Sequence, residues 1–167
     1  VASFSTSLVF GHSFFDEQLY RRGVDLSQGR GNLEMMSTNV HKIISNNYVV
    51  VSSSETVADS IKILSEAGVS EGYCINSDGK LVGKCVLPTL NLAQVHTSFG
   101  DHLDTNPVKL NADASILQAM EVASNFIGEN MPVVDPKSEK LLGVVSEADI
   151  FNAYLALQSK VHDLEHN

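Results

Sequence analysis

Hydrophobic and polar positions follow one pattern twice along the chain. Val49-Val50-Val51 lies over Val108-Lys109-Leu110, polar Ser53-Ser54-Glu55 over Ala112-Asp113-Ala114, and Tyr73-Cys74-Ile75 over Pro132-Val133-Val134. Between them Val57, Ile61 and Leu64 fall on Ile116, Met120 and Ala123, and further on Gly83 falls on Gly143. Apolar residues at i, i+4 and i+7 line one face of a helix, so each repeat predicts a short β-branched strand, a polar turn and an amphipathic helix. Two more strands follow in each half, Tyr73–Asn76 with Lys80–Val86 and Pro132–Asp135 with Lys140–Val145. The turns between them are rich in breakers, Ser77-Asp78-Gly79 and Pro136-Lys137-Ser138. A closing helix is expected from Pro88 in the first half and from Ser146 in the second, because Pro suits a first helical turn and Ser caps one.

The expected unit is therefore β-α-β-β-α, present twice. About 50 residues bury a sheet poorly on their own, so the two halves are expected to pack together with pseudo-twofold symmetry as an α/β (α+β) fold. The expected boundaries are a linker over 1–39, a first motif over 40–100, a second over 101–158 and a tail over 159–167. Two clefts should form where the strands of one half meet the closing helix of the other.

Composition narrows the function. With 43% hydrophobic residues and 19% charged ones among 167, the chain has globular content. The formal charge is −9, from 11 Lys plus Arg against 20 Asp plus Glu, and such a surface repels phosphate backbones. Nucleic acid is not an expected partner. No apolar run approaches the roughly 20 residues of a membrane helix, and Val1–Phe10 lacks the basic flank of a signal peptide. Cys74 and Cys85 form neither a disulfide framework nor a metal set. A reduced pair is the expectation, with a bond across the hairpin as the alternative. Among His12, His41, His96, His102, His162 and His166, only the last two have helical metal spacing, in a tail expected to be solvated.

The closing segment Gly143-Val144-Val145-Ser146-Glu147-Ala148-Asp149 and the strand Met131-Pro132-Val133-Val134-Asp135 resemble the CBS domain family, and the doubled arrangement from about 40 to 158 resembles its tandem pair, the Bateman module. Upstream, Ser13-Phe14-Phe15-Asp16-Glu17-Gln18-Leu19-Tyr20-Arg21-Arg22-Gly23-Val24-Asp25-Leu26 resembles the linker that joins the last membrane helix of CLC chloride channels and antiporters to their CBS pair. A generic amphipathic helix stopping at Gly23 is the plainer reading of that segment. The resemblance implies a cytoplasmic regulatory domain of a chloride transport protein, a homodimer, and a transmembrane domain of the parent protein as partner. Val1–Phe10 would then be the end of the last membrane helix or the peptide just beyond it.

The same resemblance implies a ligand, an adenine nucleotide such as ATP, ADP or AMP, and no obligatory cofactor. Asn47, Tyr48 and Val49 would line the base. Ser70, Glu71, Gly72, Tyr73 and Cys74 would close the cleft, with Cys74 standing where many members have Pro. Ser146 and Asp149 would take the ribose and first phosphate. A carboxylate can accept from both ribose hydroxyls, and a helix N-terminus attracts phosphate. In the second cleft (Asn106-Pro107-Val108, Met131-Pro132-Val133 and Gly83 to Thr89), Val86 and Thr89 replace the Ser and Asp. That cleft is expected to be empty or structural.

Plainer readings stand beside each of these. Ser146 with Asp149 is also a capping box, and Tyr73 is also a core aromatic. Glu71 would oppose a phosphate, and the assigned cleft contains no Lys or Arg. Leu87-Leu90 and Ile150-Phe151-Tyr154 would form dimer surfaces or pack inside the pair. No nucleophile elbow, Walker loop or zinc-protease motif appears, so catalysis is not expected. An assembly module with vestigial clefts and a divalent-ion sensor of another transporter are the alternatives.

Overall fold

The computed structural model describes residues 34–92 and 98–165, with side chains to Lys160. The CLC-like segment, His12, His96, His166 and the His162 side chain lie outside these described residues. Two three-stranded sheets share one topology. The first contains β1 (Val50–Ser52), α1 (Val57–Ala67), β2 (Glu71–Ile75), β3 (Leu81–Val86) and α2 (Leu87–Asn91). The second contains β4 (Leu110–Asn111), α3 (Ile116–Ala123), β5 (Met131–Val134), β6 (Leu141–Val145) and α4 (Glu147–Glu165). In each, the first strand runs parallel to the middle one and the last antiparallel, with an irregularity at the same place, Cys74/Ile75 and Val133/Val134.

Local chemistry sets the boundaries. Thr56 accepts from the Asp59 N–H at the start of α1, and Ser115 forms a reciprocal capping box with Gln118 at the start of α3. Gly68 ends α1 in the left-handed conformation. In the hairpins, Asn76 Oδ1 accepts from the N–H groups of Asp78 and Lys80, and Asp135 Oδ1 accepts from those of Lys137 and Ser138. These bonds hold the Asp135 carboxyl below its usual range, the Ser138 backbone N–H contributing most. The closing helices differ from the expectation. α2 begins at Leu87, with Pro88 inside its first turn, and lasts five residues, whereas α4 continues for 19.

Each half completes its core with a segment that precedes the other motif. The 3-10 turn Val40–Ile43 is held by N–H bonds from Val40 and His41 to the carbonyls of Ala114 and Ala112, and Ser45 pairs with Val144. Met35 and Val40 are buried with Ile116, Met120, Val133, Ile150 and Tyr154 of the second half. The turn Phe99–His102 answers it: Phe99 is buried with Val51, Leu64, Cys74, Cys85 and Leu90 of the first half, and Asp104 pairs with Lys84. These crossings explain two glycines. A Cβ on Gly143 would collide with Ile44 Cγ2 and lie 2.7 Å from the Ser45 carbonyl oxygen. One on Gly83 would lie 2.9 Å from the Asp104 carbonyl oxygen.

The apolar stripes of the closing helices are spent on these cores. Leu90, Ile150 and Tyr154 are buried, and Leu87 and Phe151 are partly buried against the same clusters, so these residues pack inside the pair. Cys74 and Cys85 are free thiols in the first core.

Candidate functional site

Strand parity divides the first sheet into two chemistries. Gly72, Cys74 and Cys85 face α1, whereas Tyr73 stands opposite Lys84 and both face the second half. That outer face carries a buried polar group. Lys84 Nζ lies 2.5 Å from Glu71 Oε2, and the two side chains are 10% and 8% exposed. The other carboxylate oxygen, Glu71 Oε1, accepts from the Tyr73 hydroxyl at 2.9 Å and from the Asn130 N–H at 3.1 Å. The Asn130 carbonyl oxygen stands 3.0 Å from the same hydroxyl. Lys84 Nζ also lies 5.9 Å from the Tyr73 ring centroid and 5.7 Å from that of Phe126, within cation–π range. Burial, and then the Glu71 charge, push the Tyr73 phenol well above its ordinary range.

The group sits on the pseudo-twofold axis. Ser70 Oγ donates to Glu129 Oε1 at 2.6 Å, and Ser70 and Glu129 are repeat equivalents, as are Glu71 and Asn130. Further along, the Leu81 N–H donates to the Glu139 carbonyl and the Leu141 N–H to that of Gly79, around a bridge between Lys80 and Lys140. Equivalent residues meeting one another is what a twofold axis through the seam requires.

The residues singled out from the sequence separate into three sets. Tyr48, Val49 and Asn47 precede β1. The Tyr48 and Tyr73 rings meet edge-on at 6.1 Å, the Tyr73 N–H donates to the Val49 carbonyl, and the exposed Asn47 donates its N–H to Ser45 Oγ. Glu71, Gly72, Tyr73 and Cys74 are buried, while Ser70 is half-buried at the mouth. Ser146 and Asp149 form the third set at the start of α4. Asp149 Oδ2 accepts from Ser146 N–H and Oγ at 2.9 and 2.7 Å, and the Asp149 N–H donates to Ser146 Oγ at 3.1 Å. Among the described residues no hydrogen bond joins this pair to the first set; the connection is the backbone pairing of Ser45 with Val144.

Two expectations need correcting. A lysine does reach the assigned group, because Lys84 points across the sheet rather than into the second cleft. Glu71 does not confront a ligand as a bare carboxylate, being neutralised by Lys84. Lys84 was legible in one respect: its repeat equivalent is Val144, and a lysine in an apolar strand calls for a partner. Glu129, Asn130 and Phe126 left no such mark. In the second cleft Val86 provides no side-chain cap for α2 and Thr89 is exposed. Among the described residues there is no group of three metal-ligating side chains, and no helix is long and apolar enough to cross a membrane.

Comparisons with known proteins agree with this architecture. No curated protein sequence matches the chain. Solved structures do. CBSX2 from Arabidopsis thaliana, in its complex with AMP, is 22% identical over 72% of this chain and 98% of that one, with a TM-score of 0.61. The cytosolic domain of the Mg²⁺ channel MgtE in complex with ATP is 20% identical with a TM-score of 0.63, covering 70% of this chain and 49% of that one. A CBS domain pair/ACT domain protein from Thermotoga maritima gives 19%, 0.62, 71% and 98%. At these identities the likeness is one of fold. The family model of the CBS domain matches residues 34–83 and 99–156, and the chain therefore belongs to the CBS domain family as a tandem pair.

Proposed function

We propose that this CBS pair is a regulatory, non-catalytic module that senses adenine nucleotide through one cleft, as the cytoplasmic domain of a CLC-type chloride transport protein. The observation that carries the ligand reading is the asymmetry between the closing helices. The second motif keeps Ser146 and Asp149 at the start of a 19-residue helix, while the first has Val86 and Thr89 at the start of a five-residue one. One cleft would thus retain a hydroxyl and a carboxylate at a helix N-terminus, with Asn47, Tyr48, Val49 and Ser70 to Cys74 as the segments of its other wall. The AMP and ATP complexes of CBSX2 and MgtE support an adenine ligand. The CLC assignment rests on Ser13–Leu26, with Arg21-Arg22-Gly23 at its centre. Two copies would associate across a twofold axis beneath the parent pore, and a ligand bound better in one arrangement would bias transport.

Thermal and urea denaturation with ATP, ADP, AMP or S-adenosylmethionine tests the reading. Ligand at a hundred times its dissociation constant adds about 2.7 kcal/mol, and Asp149→Ala removes the gain. No gain with any of the four favours a second reading, an assembly module without ligand. That reading has its own support: the Tyr73 hydroxyl and Glu71 carboxylate are already committed inside the protein.

A further inference from the structure

We infer that residues 34–45 form an arm that couples the start of α4, at Ser146 and Asp149, to the chain preceding residue 34. The inference rests on the nucleotide reading above and names the route by which occupancy of that site would be passed on. The arm precedes the first motif in sequence but runs along the closing helix of the second, in the opposite direction. Glu34 Oε2 lies 3.6 Å from Lys160 Nζ, beyond the middle of α4. Met35 and Val40 are buried in one core with Ile150 and Tyr154. Ser45 reaches the strand that feeds α4. Its N–H donates to the Val144 carbonyl at 2.8 Å, and its carbonyl accepts from the Val144 N–H at 3.0 Å.

The fit at that end is tight. Gly143 has no room for a Cβ against Ile44 and the Ser45 carbonyl oxygen, and Val145 is buried. Ser146 follows directly and is tied to Asp149 by three hydrogen bonds. Ser45 Oγ also accepts from the Asn47 N–H at 3.1 Å, so the same residue touches the start of the proposed base wall. A ligand drawing on Ser146 and Asp149 therefore bears on Val144 and Ser45. A pull on the arm bears equally on the cap, because coupling between two sites is reciprocal. The equivalent segment of the other repeat lacks both ends of this link. There Asp104 exchanges backbone hydrogen bonds with Lys84 at 2.8 and 2.9 Å. The chain on either side of it stays within the pair, and α2 begins after Val86 without a side-chain cap.

Hydrogen exchange of the full chain, read at single amides by NMR, tests the arm in the wild type, Asp149→Ala and Ser45→Pro, with and without AMP. Such exchange reports local opening segment by segment. Asp149→Ala should speed exchange at Val40, His41 and Ser45 about fivefold, the effect of losing one cap. The Lys84 and Asp104 amides, which hold the equivalent segment, should keep their rates. Ser45→Pro removes the N–H given to Val144 and should speed exchange at Asp149 and Ile150, again sparing Lys84 and Asp104. AMP should slow Val40, His41 and Ser45 in the wild type. Faster exchange confined to α4 in Asp149→Ala overturns the arm. An equal rise at Lys84 and Asp104 also overturns it, because the whole protein is then opening. So does AMP binding, measured by calorimetry, that leaves the arm amides unchanged. If calorimetry finds no AMP binding, the nucleotide reading fails, and the unliganded rates of Asp149→Ala decide the arm. The same rates decide it if Ser45→Pro does not fold.

Discussion

Lys84 Nζ and Glu71 Oε2 lie 2.5 Å apart across neighbouring strands, in a face that the repeat fills with Val144 and Asn130 in the other half. A buried pair of this kind does little for stability relative to apolar residues, yet removing one member strands a charge away from water. Lys84→Met should cost about 3–5 kcal/mol, because Glu71 is then left with only hydrogen bonds. Lys84→Met combined with Glu71→Gln should recover most of that loss. Urea denaturation of the two single variants and the double variant measures the coupling, and additive losses would sink the account.

Most of the architecture could be read from the chain, because the repeat is a statement about burial. Val57, Ile61 and Leu64 recur as Ile116, Met120 and Ala123, the spacing of a helix with one buried face. The exchange of lead segments was not readable. Met35, Val40 and Phe99 are ordinary apolar residues next to their own motifs, and nothing local says that each completes the opposite core. The cap at the candidate site was legible in Ser146 and Asp149, whose spacing is that of a capping box. It was obscure at Glu71, whose partners Lys84 and Asn130 are brought to it by strand register and by the seam. Partners chosen by tertiary packing leave no periodic trace.

The hairpin turns offer a test of the pseudo-symmetry itself. Gly79 and Glu139 are repeat equivalents and both have positive φ, +77° and +59°. Glycine adopts this conformation freely, whereas a residue with a Cβ is held there at a cost of roughly 1 kcal/mol. Glu139→Gly should therefore raise stability by about 0.5 kcal/mol or more, the exposed ion pair to Lys80 at 3.5 Å being worth little. Gly79→Ala should lower it by about 1 kcal/mol. Both changes are read from thermal unfolding, and a loss on Glu139→Gly would show that its side chain contributes more than its backbone costs.

Alkaline pH should loosen the first half. Burial, with Cys85 beside it, pushes the Cys74 thiol from its ordinary value near 9 up to about 11, and burial also raises Cys85. The folded state holds these protons more tightly than the unfolded chain does. The stabilisation is present in full below about pH 9 and is lost as the pH climbs toward 11. Tyr73, raised by burial and by Glu71, acts in the same direction. Stability measured by urea between pH 8 and 11 should fall, and the decline should be shallower in Cys74→Ala. A thiol reagent should leave the native protein unlabelled at pH 8 and modify both cysteines in urea. Equal slopes for the variant and the wild type would remove Cys74 from the explanation.

Ser146 and Asp149 carry two roles that measurement can separate. As a capping box they satisfy N–H groups at the start of α4, and caps of this kind are worth about 1 kcal/mol each. Ser146→Ala should reduce the stability of the unliganded protein by about that amount. Asp149→Asn keeps an acceptor for the Ser146 groups and should cost less than Asp149→Ala. Ligand binding asks for something different, a charged carboxylate with acceptor capacity for two ribose hydroxyls. Asp149→Asn should then separate the roles, retaining most of the unliganded stability while losing most of the nucleotide-dependent gain. Parallel denaturation with and without AMP supplies both numbers. If Asp149→Asn keeps the full gain, the carboxylate is a cap alone, and any adenine ligand must be held by the Asn47 to Cys74 wall without it.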